Sequence, residues 1–159
     1  YVAINVSSPN TPELRKLQEK GRLIKLLTSI QKENDKNIPI LVKISPDLTD
    51  SEIQEIVEVA VESKIQGLIA TNTTITRENL ESDINEVGGL SGEPLREISR
   101  NFVSKLHNMI EGKLPIIGVG GVSTREDYLK MLDAGASLVQ VYTGFIYKGP
   151  GIVKSILKN

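Results

Sequence analysis

The feature that most limits how this chain can fold is an alternation. Short, continuous apolar runs recur between stretches of helical periodicity, about every 32 residues through a chain of 159. The runs are Val2–Val6, Ile40–Ile44, Gly67–Thr71, Ile116–Val119 and Leu138–Tyr142. Unbroken apolar runs suit parallel strands covered on both faces, and parallel neighbours need a crossover, normally a helix. The intervening stretches supply the helices. Leu23, Ile24, Leu26, Leu27 and Ile30 mark the first. Thr49 with Glu52 has capping-box spacing and opens the second, whose stripe is Ile53, Ile56, Val57, Ala60 and Val61. Pro94 stands in the first turn of the third, which runs through Leu95, Ile98, Phe102, Leu106, Met109 and Ile110 and stops at Gly112. Ser123 with Glu126 opens the fourth, which ends near Gly135. The fifth follows Gly149-Pro150 and carries Ile152, Val153, Ile156 and Leu157.

Eight such units would make roughly 255 residues, close to the usual length of a (β/α)8 TIM barrel. Five parallel strands also allow a doubly wound open sheet. Two features favour the barrel. The chain opens directly in a strand at Tyr1, as if the front of the barrel preceded it. Polar chemistry also recurs at the C-terminal end of every strand. We therefore expect about the last five strand–helix units of a TIM barrel, in a single domain over residues 1–159.

Those strand ends are Asn5 to Asn10, Lys43 to Asp47, Thr71 to Thr74, Gly118 to Gly121, and Tyr142 to Gly144. In parallel β/α proteins they share one face, where active sites sit. Asn5-Val6-Ser7-Ser8-Pro9-Asn10 is the most unusual of them. It offers amides that donate and accept on one plane, and hydroxyls that can move protons. Lys43 interrupts the apolar run Leu41-Val42-Lys43-Ile44, where a lysine either snorkels or faces an anion. Gly118-Val119-Gly120-Gly121 before a capped helix has the form of an anion-binding turn. Asn72, flanked by Thr71, Thr73 and Thr74, is a second amide cluster. Gly88-Gly89-Leu90-Ser91-Gly92 reads either as further backbone donors or as a flexible linker. The long loops Ser8–Gly21 and Thr73–Gly92 have the length of functional lids. The basic stretch Arg15, Lys16, Lys20, Arg22 and Lys25 reads as a solvated face.

Composition closes off other functions. With 19 basic and 20 acidic residues the net charge is −1, which gives no electrostatic case for nucleic acid or an anionic membrane. There is no cysteine and one histidine, so thiolate and histidine-cluster metal sites are excluded and no metal is expected. His107 falls in a helical pattern and reads as a helix-flank residue. No apolar run approaches the roughly 18 residues of a membrane span, and no signal peptide is visible.

Taken together, these motifs resemble the dihydroorotate dehydrogenase family, in its class 2, quinone-reducing branch. The resemblance rests on Asn5 through Thr11, Leu41 through Ile44, Ala70 through Thr74, Gly88 through Gly92, Pro115 through Gly121 and Gly135 through Tyr142, in that order. It implies an FMN-dependent oxidation of dihydroorotate to orotate, with quinone as electron acceptor, in pyrimidine biosynthesis. Ser8 would be the base, the place where class 1 enzymes carry cysteine. Asn5, Asn10, Asn72 and Thr73 would bind the pyrimidine. Asn5, Lys43 and Thr71 would contact the flavin ring. Ser91, Gly92, Gly120, Gly121, Tyr142 and Thr143 would hold its phosphate end. Thr11–Gly21 would be a lid. The resemblance further implies a peripheral location on the bacterial cytoplasmic membrane or mitochondrial inner membrane, through a segment absent from this chain. The chain alone is then expected to be inactive. Other readings are a non-catalytic flavin- or phosphate-binding half-barrel, a related flavin barrel acting on another pyrimidine, or a phosphate-binding barrel isomerase. Glu13 departs from the family, which has a small residue there.

Overall fold

The computed structural model describes residues 1–11, 13–77, 80 and 86–158. Five parallel strands, β1 (Val2–Asn5), β2 (Ile40–Ile44), β3 (Gly67–Ala70), β4 (Ile116–Val119) and β5 (Leu138–Gln140), form one sheet in the order β1-β2-β3-β4-β5. That order decides between the two architectures. A doubly wound sheet reverses direction at a switch point, whereas a barrel wall adds each strand beside the last. A side-chain contact shows that the wall curls. Flat, four spacings of about 4.8 Å would put the edge strands about 19 Å apart, beyond the joint reach of a tyrosine and a glutamine. Yet Gln140 Nε2 donates to Tyr1 Oη at 2.8 Å.

The helices are α1 (Lys20–Lys32), α2 (Asp50–Glu62), α3 (Arg96–Ile110), α4 (Arg125–Asp133), α5 (Thr143–Lys148) and α6 (Gly151–Leu157). The expected caps hold with small shifts. Thr49 and Glu52 form the reciprocal capping box at α2. At α4 the box is Thr124 with Asp127, one residue later than Ser123 with Glu126. Asp127 also accepts from the Ser123 N–H and hydroxyl, so the serine is drawn into the cap without being the N-cap. Helix α3 ends at Glu111 in the left-handed region, one residue before Gly112. Helix α5 was not expected at all. It starts two residues beyond β5, in a stretch whose short length and exposed Ile146 and Tyr147 give no amphipathic signal.

Two layers of apolar packing follow from strand alternation. Ile40, Val42, Ile44, Leu68, Ala70 and Ile116 point to the helices, where Leu23, Leu27, Ile53, Ile56, Phe102 and Leu106 bury against them. Leu41, Ile69, Ile117 and Val119 form a separate cluster on the face away from the helices. In α2 Val61 is exposed, against expectation, and Val59 is buried in its place, because the helix is flanked by both α1 and α3. Full burial on both faces is reached only by β3 and β4; the edge strands leave Val2 and Leu138 in solvent. Among the described residues no helix is long and apolar enough to cross a membrane.

Candidate active site at the strand ends

The register places the site side chains. Asn5 pairs with Lys43 across β1 and β2, and Lys43 alternates with Leu41, so both point to the face away from the helices. A cavity of about 580 Å³ opens there at the C-terminal ends of the strands. Lys43, Thr71, Asn72 and Thr73 line one side of it; Ser91, Gly92, Gly120, Gly121, Tyr142 and Thr143 line the other. Ten of the residues singled out from sequence thus share one cavity. Asn5, Ser8 and Asn10 do not line it: Asn5 is tied to it by a hydrogen bond from Asn72, whereas Ser8, among the described residues, bonds only to Asn10, which in turn bonds Gly89.

Those bonds join the two amide clusters. Asn72 Nδ2 donates to Asn5 Oδ1 at 3.1 Å and to Ser7 Oγ at 3.0 Å. Ser7, fully buried, donates from its N–H and hydroxyl to Asn5 Oδ1 at 3.2 and 3.1 Å. Asn72 Oδ1 accepts from Thr73 N–H at 2.8 Å. Ser8 Oγ accepts from Asn10 N–H at 3.3 Å, and among the described residues no carboxylate or imidazole reaches it. Asn10 Oδ1 accepts from Gly89 N–H at 3.1 Å. The glycine stretch is therefore docked. Leu90 pairs with Thr74 as a bridge, and a Cβ on Gly89 would lie 2.6 Å from Thr73 Cβ and 2.8 Å from Pro9 Cγ. The middle of the Thr73–Gly92 loop, expected as a lid, lies outside the described residues.

The other wall presents backbone donors. Ser99 Oγ donates to Gly120 O at 2.8 Å and Arg96 Nε to Gly121 O at 3.3 Å. With both carbonyls drawn back to α3, the N–H groups of Gly120 and Gly121 find no acceptor among the described residues. Gly120 and Gly121 take φ of 140° and 70°, a combination that L side chains rarely adopt. Thr143 Oγ1 donates to Ser91 Oγ at 3.1 Å across the cavity. Lys43 is half-buried and makes no ion pair among the described residues; burial pushes its amine below the ordinary lysine range. Two unpaired N–H groups, a neighbouring helix N-terminus and an unpaired lysine in one cavity form a donor set that suits a phosphate-bearing, electron-accepting ring.

Several residues at this face escaped the sequence. Gln140, Ser123 and Lys148 also line the cavity, and Lys148 Nζ donates to Ser123 O at 2.9 Å. Only Gln140 carried a legible signal, as a polar residue within an apolar strand. Arg15 is the larger correction. It belongs to a short 3-10 helix, Leu14–Gln18, within the segment expected as a lid, and it is not part of a solvated face. Its guanidinium meets Asp47 Oδ2 at 2.9 Å and donates to Ser7 O at 3.3 Å and Thr73 O at 3.4 Å. Gln18, buried, accepts from Ser45 N–H at 3.0 Å. Lys16, Lys20 and Arg22 do make exposed pairs, with Glu13, Glu58 and Glu19. Among the described residues no three acidic, histidine or cysteine side chains cluster as a metal site would require. His107 is exposed on α3, as expected.

Comparison with known proteins gives a consistent result. The family model described as Dihydroorotate dehydrogenase matches residues 1–159. The chain is 54% identical over 160 residues to the "Dihydroorotate dehydrogenase (quinone)" of Christiangramia forsetii, covering 98% of this chain and 47% of that protein. It is 50% identical over 168 residues to the protein of the same name from Trichodesmium erythraeum, covering all of this chain and 44% of that one. Among solved structures it superposes on DHODH from Eimeria tenella in complex with ferulenol. The TM-score is 0.91 at 40% identity, covering 98% of this chain and 48% of that one. The chain therefore spans about half the length of the curated relatives it matches.

Proposed function

This chain belongs to the dihydroorotate dehydrogenase family, and we propose that it forms the C-terminal part of a single FMN-binding catalytic barrel that oxidises dihydroorotate to orotate and passes the electrons to quinone. The observation that carries the reading is the cavity in which Lys43, the Gly120-Gly121 turn and the Asn72 amide converge, with Asn5 and Ser7, just before Ser8, hydrogen-bonded to Asn72 at its edge.

Bound FMN supplies the hydride acceptor. The protein's own groups do the rest. Asn5, Asn10, Asn72 and Thr73 hold a planar pyrimidine in one orientation through the donors and lone pairs that their mutual bonds leave free. Ser8 takes the proton from C5 of the substrate as hydride leaves C6. A serine hydroxyl is a weak base, so its proton must pass onward as the new one arrives, and water must be kept from the reacting carbons. Lys43 supplies positive charge where negative charge develops on the ring system. Gly92, Gly120 and Gly121, with Ser91 and Thr143, hold the phosphate end, Tyr142 stands beside them, and Thr71 and Asn5 border the ring. The quinone reading brings with it a peripheral site at a membrane.

Replacing Ser8 by alanine in the holoenzyme tests the assignment. Dihydroorotate-driven bleaching of the flavin should fall by about 10² to 10⁴-fold while flavin stays bound. Bleaching at the wild-type rate would remove Ser8 from the role of base.

A further inference from the structure

Three loops meet at the substrate side of the cavity, and one ion pair joins all three. Arg15 comes from the 3-10 helix after β1, and Asp47 follows β2. The pair's other contacts fall on the chain just before Ser8 and on Thr73 to Ile75 after β3. Arg15 spends its fork on three acceptors: Asp47 Oδ2 at 2.9 Å, Ser7 O at 3.3 Å and Thr73 O at 3.4 Å. Asp47 uses its remaining lone pairs on the third loop. Oδ1 accepts from the Thr74 hydroxyl in a short contact, and Oδ2 from Ile75 N–H at 3.1 Å. Ser45 Oγ adds a bond to Asp47 and accepts from its N–H at 3.2 Å. Both charged side chains are largely buried, at 25% and 13% exposure, so the pair is much less screened than the surface pairs of Lys16 or Arg22.

Neither Arg15 nor Asp47 lines the cavity itself. The pair grips the peptide carbonyls immediately before Ser8 and at Thr73, the two points from which base and amide project. We infer that Arg15 is a positioning residue, which with Asp47 fixes the distance between the Ser8 segment and the Asn72-Thr73 segment. The inference rests on the proposed function above. A guanidinium can hold two carbonyls and a carboxylate at once because its five donors are fixed in a plane; an ammonium cannot. A displacement of about 1 Å between reacting groups costs about 10²-fold in rate.

The test is anaerobic stopped-flow reduction of the FMN-loaded enzyme by dihydroorotate, with Arg15→Lys and Arg15→Met, read beside FMN affinity and melting temperature. Both variants should slow flavin bleaching about 10²-fold, with FMN affinity within about twofold of wild type. Arg15→Lys should recover the melting temperature of wild type, because it keeps the charge beside Asp47, and still bleach slowly. If Arg15→Lys restores rate and melting temperature together, the residue is a structural charge and the inference is overturned. Rate, FMN affinity and melting temperature falling together in both variants would overturn it as well. If wild-type holoenzyme itself is not bleached by dihydroorotate, the proposed function fails and this inference falls with it.

Discussion

Substituting Gly121 by alanine tests how the glycine-turn wall of the cavity is held. The new Cβ would lie 2.6 Å from both N and Cβ of Arg96, at the start of α3. Ordinary contact begins at 3.4 Å, so these approaches are 0.8 Å too close, that to Arg96 Cα is closer still, and the obstructing atoms include backbone that cannot swing aside. Overpacking of this kind typically costs about 1–3 kcal/mol. The φ of 70° adds the left-handed penalty, roughly 1–2 kcal/mol for a residue with a Cβ. The sum is about 2–5 kcal/mol, a large share of the 5–15 kcal/mol that holds an ordinary domain together. Gly112 provides the control. Its φ is 74°, yet a Cβ there meets nothing within 4 Å, so Gly112→Ala should cost only about 1–2 kcal/mol. Urea unfolding of the two variants measures the difference through the midpoint at unchanged slope. Gly121→Ala should also weaken FMN binding, because the turn must move off α3, and Gly112→Ala should leave it unchanged. Equal losses in the two variants would refute the claim that close packing of α3 under the turn sets its geometry.

Other expectations follow from single residues. Glu13 sits at φ 64°, so Glu13→Gly should stabilise the protein by about 0.5–1 kcal/mol after the extra chain entropy of glycine is subtracted, as read by urea midpoint. Lys43 has its amine held below 10.5 by burial, so the unfolded chain binds more protons between that lowered value and 10.5, and stability rises with pH across the window. Lys43→Met should therefore raise the melting temperature of ligand-free protein at neutral pH and flatten the rise of stability with pH across that window, as read by unfolding at a series of pH values. Asp127 is pushed up by burial but pulled further down by the Ser123 and Thr124 hydrogen bonds and by Arg96. The stability it contributes is present above pH 3.8 and lost as pH falls toward its lowered value; Asp127→Asn should flatten that acid limb in pH-dependent unfolding.

Much of this architecture could be read from the chain because parallel β/α units leave a repeating mark. The apolar runs at β2 and β4 matched their strands residue for residue, and the Thr49–Glu52 box matched α2. The strand ends were also legible, since polar residues that break apolar runs at one end have few purely structural reasons to recur five times. What stayed hidden depends on partners distant in sequence. Arg15 looks like one charge among five until folding brings Asp47 and the Ser7 and Thr73 carbonyls around it. Asp127 and Glu126 are equivalent as cap acids on paper, and the contact with Arg96 of α3 selects Asp127. Helix α5 has six residues, too few to show a period, and its course is set by the site it borders. Val59 and Val61 exchange places because a helix between two others buries a second flank that a single stripe does not describe.

The most direct measurement is the flavin absorbance of the FMN-loaded holoenzyme during anaerobic titration with dihydroorotate. The account predicts saturable FMN binding, then bleaching of the oxidised flavin band by one equivalent of dihydroorotate, with orotate released in equal amount. Bound flavin that stays oxidised in excess dihydroorotate would contradict it.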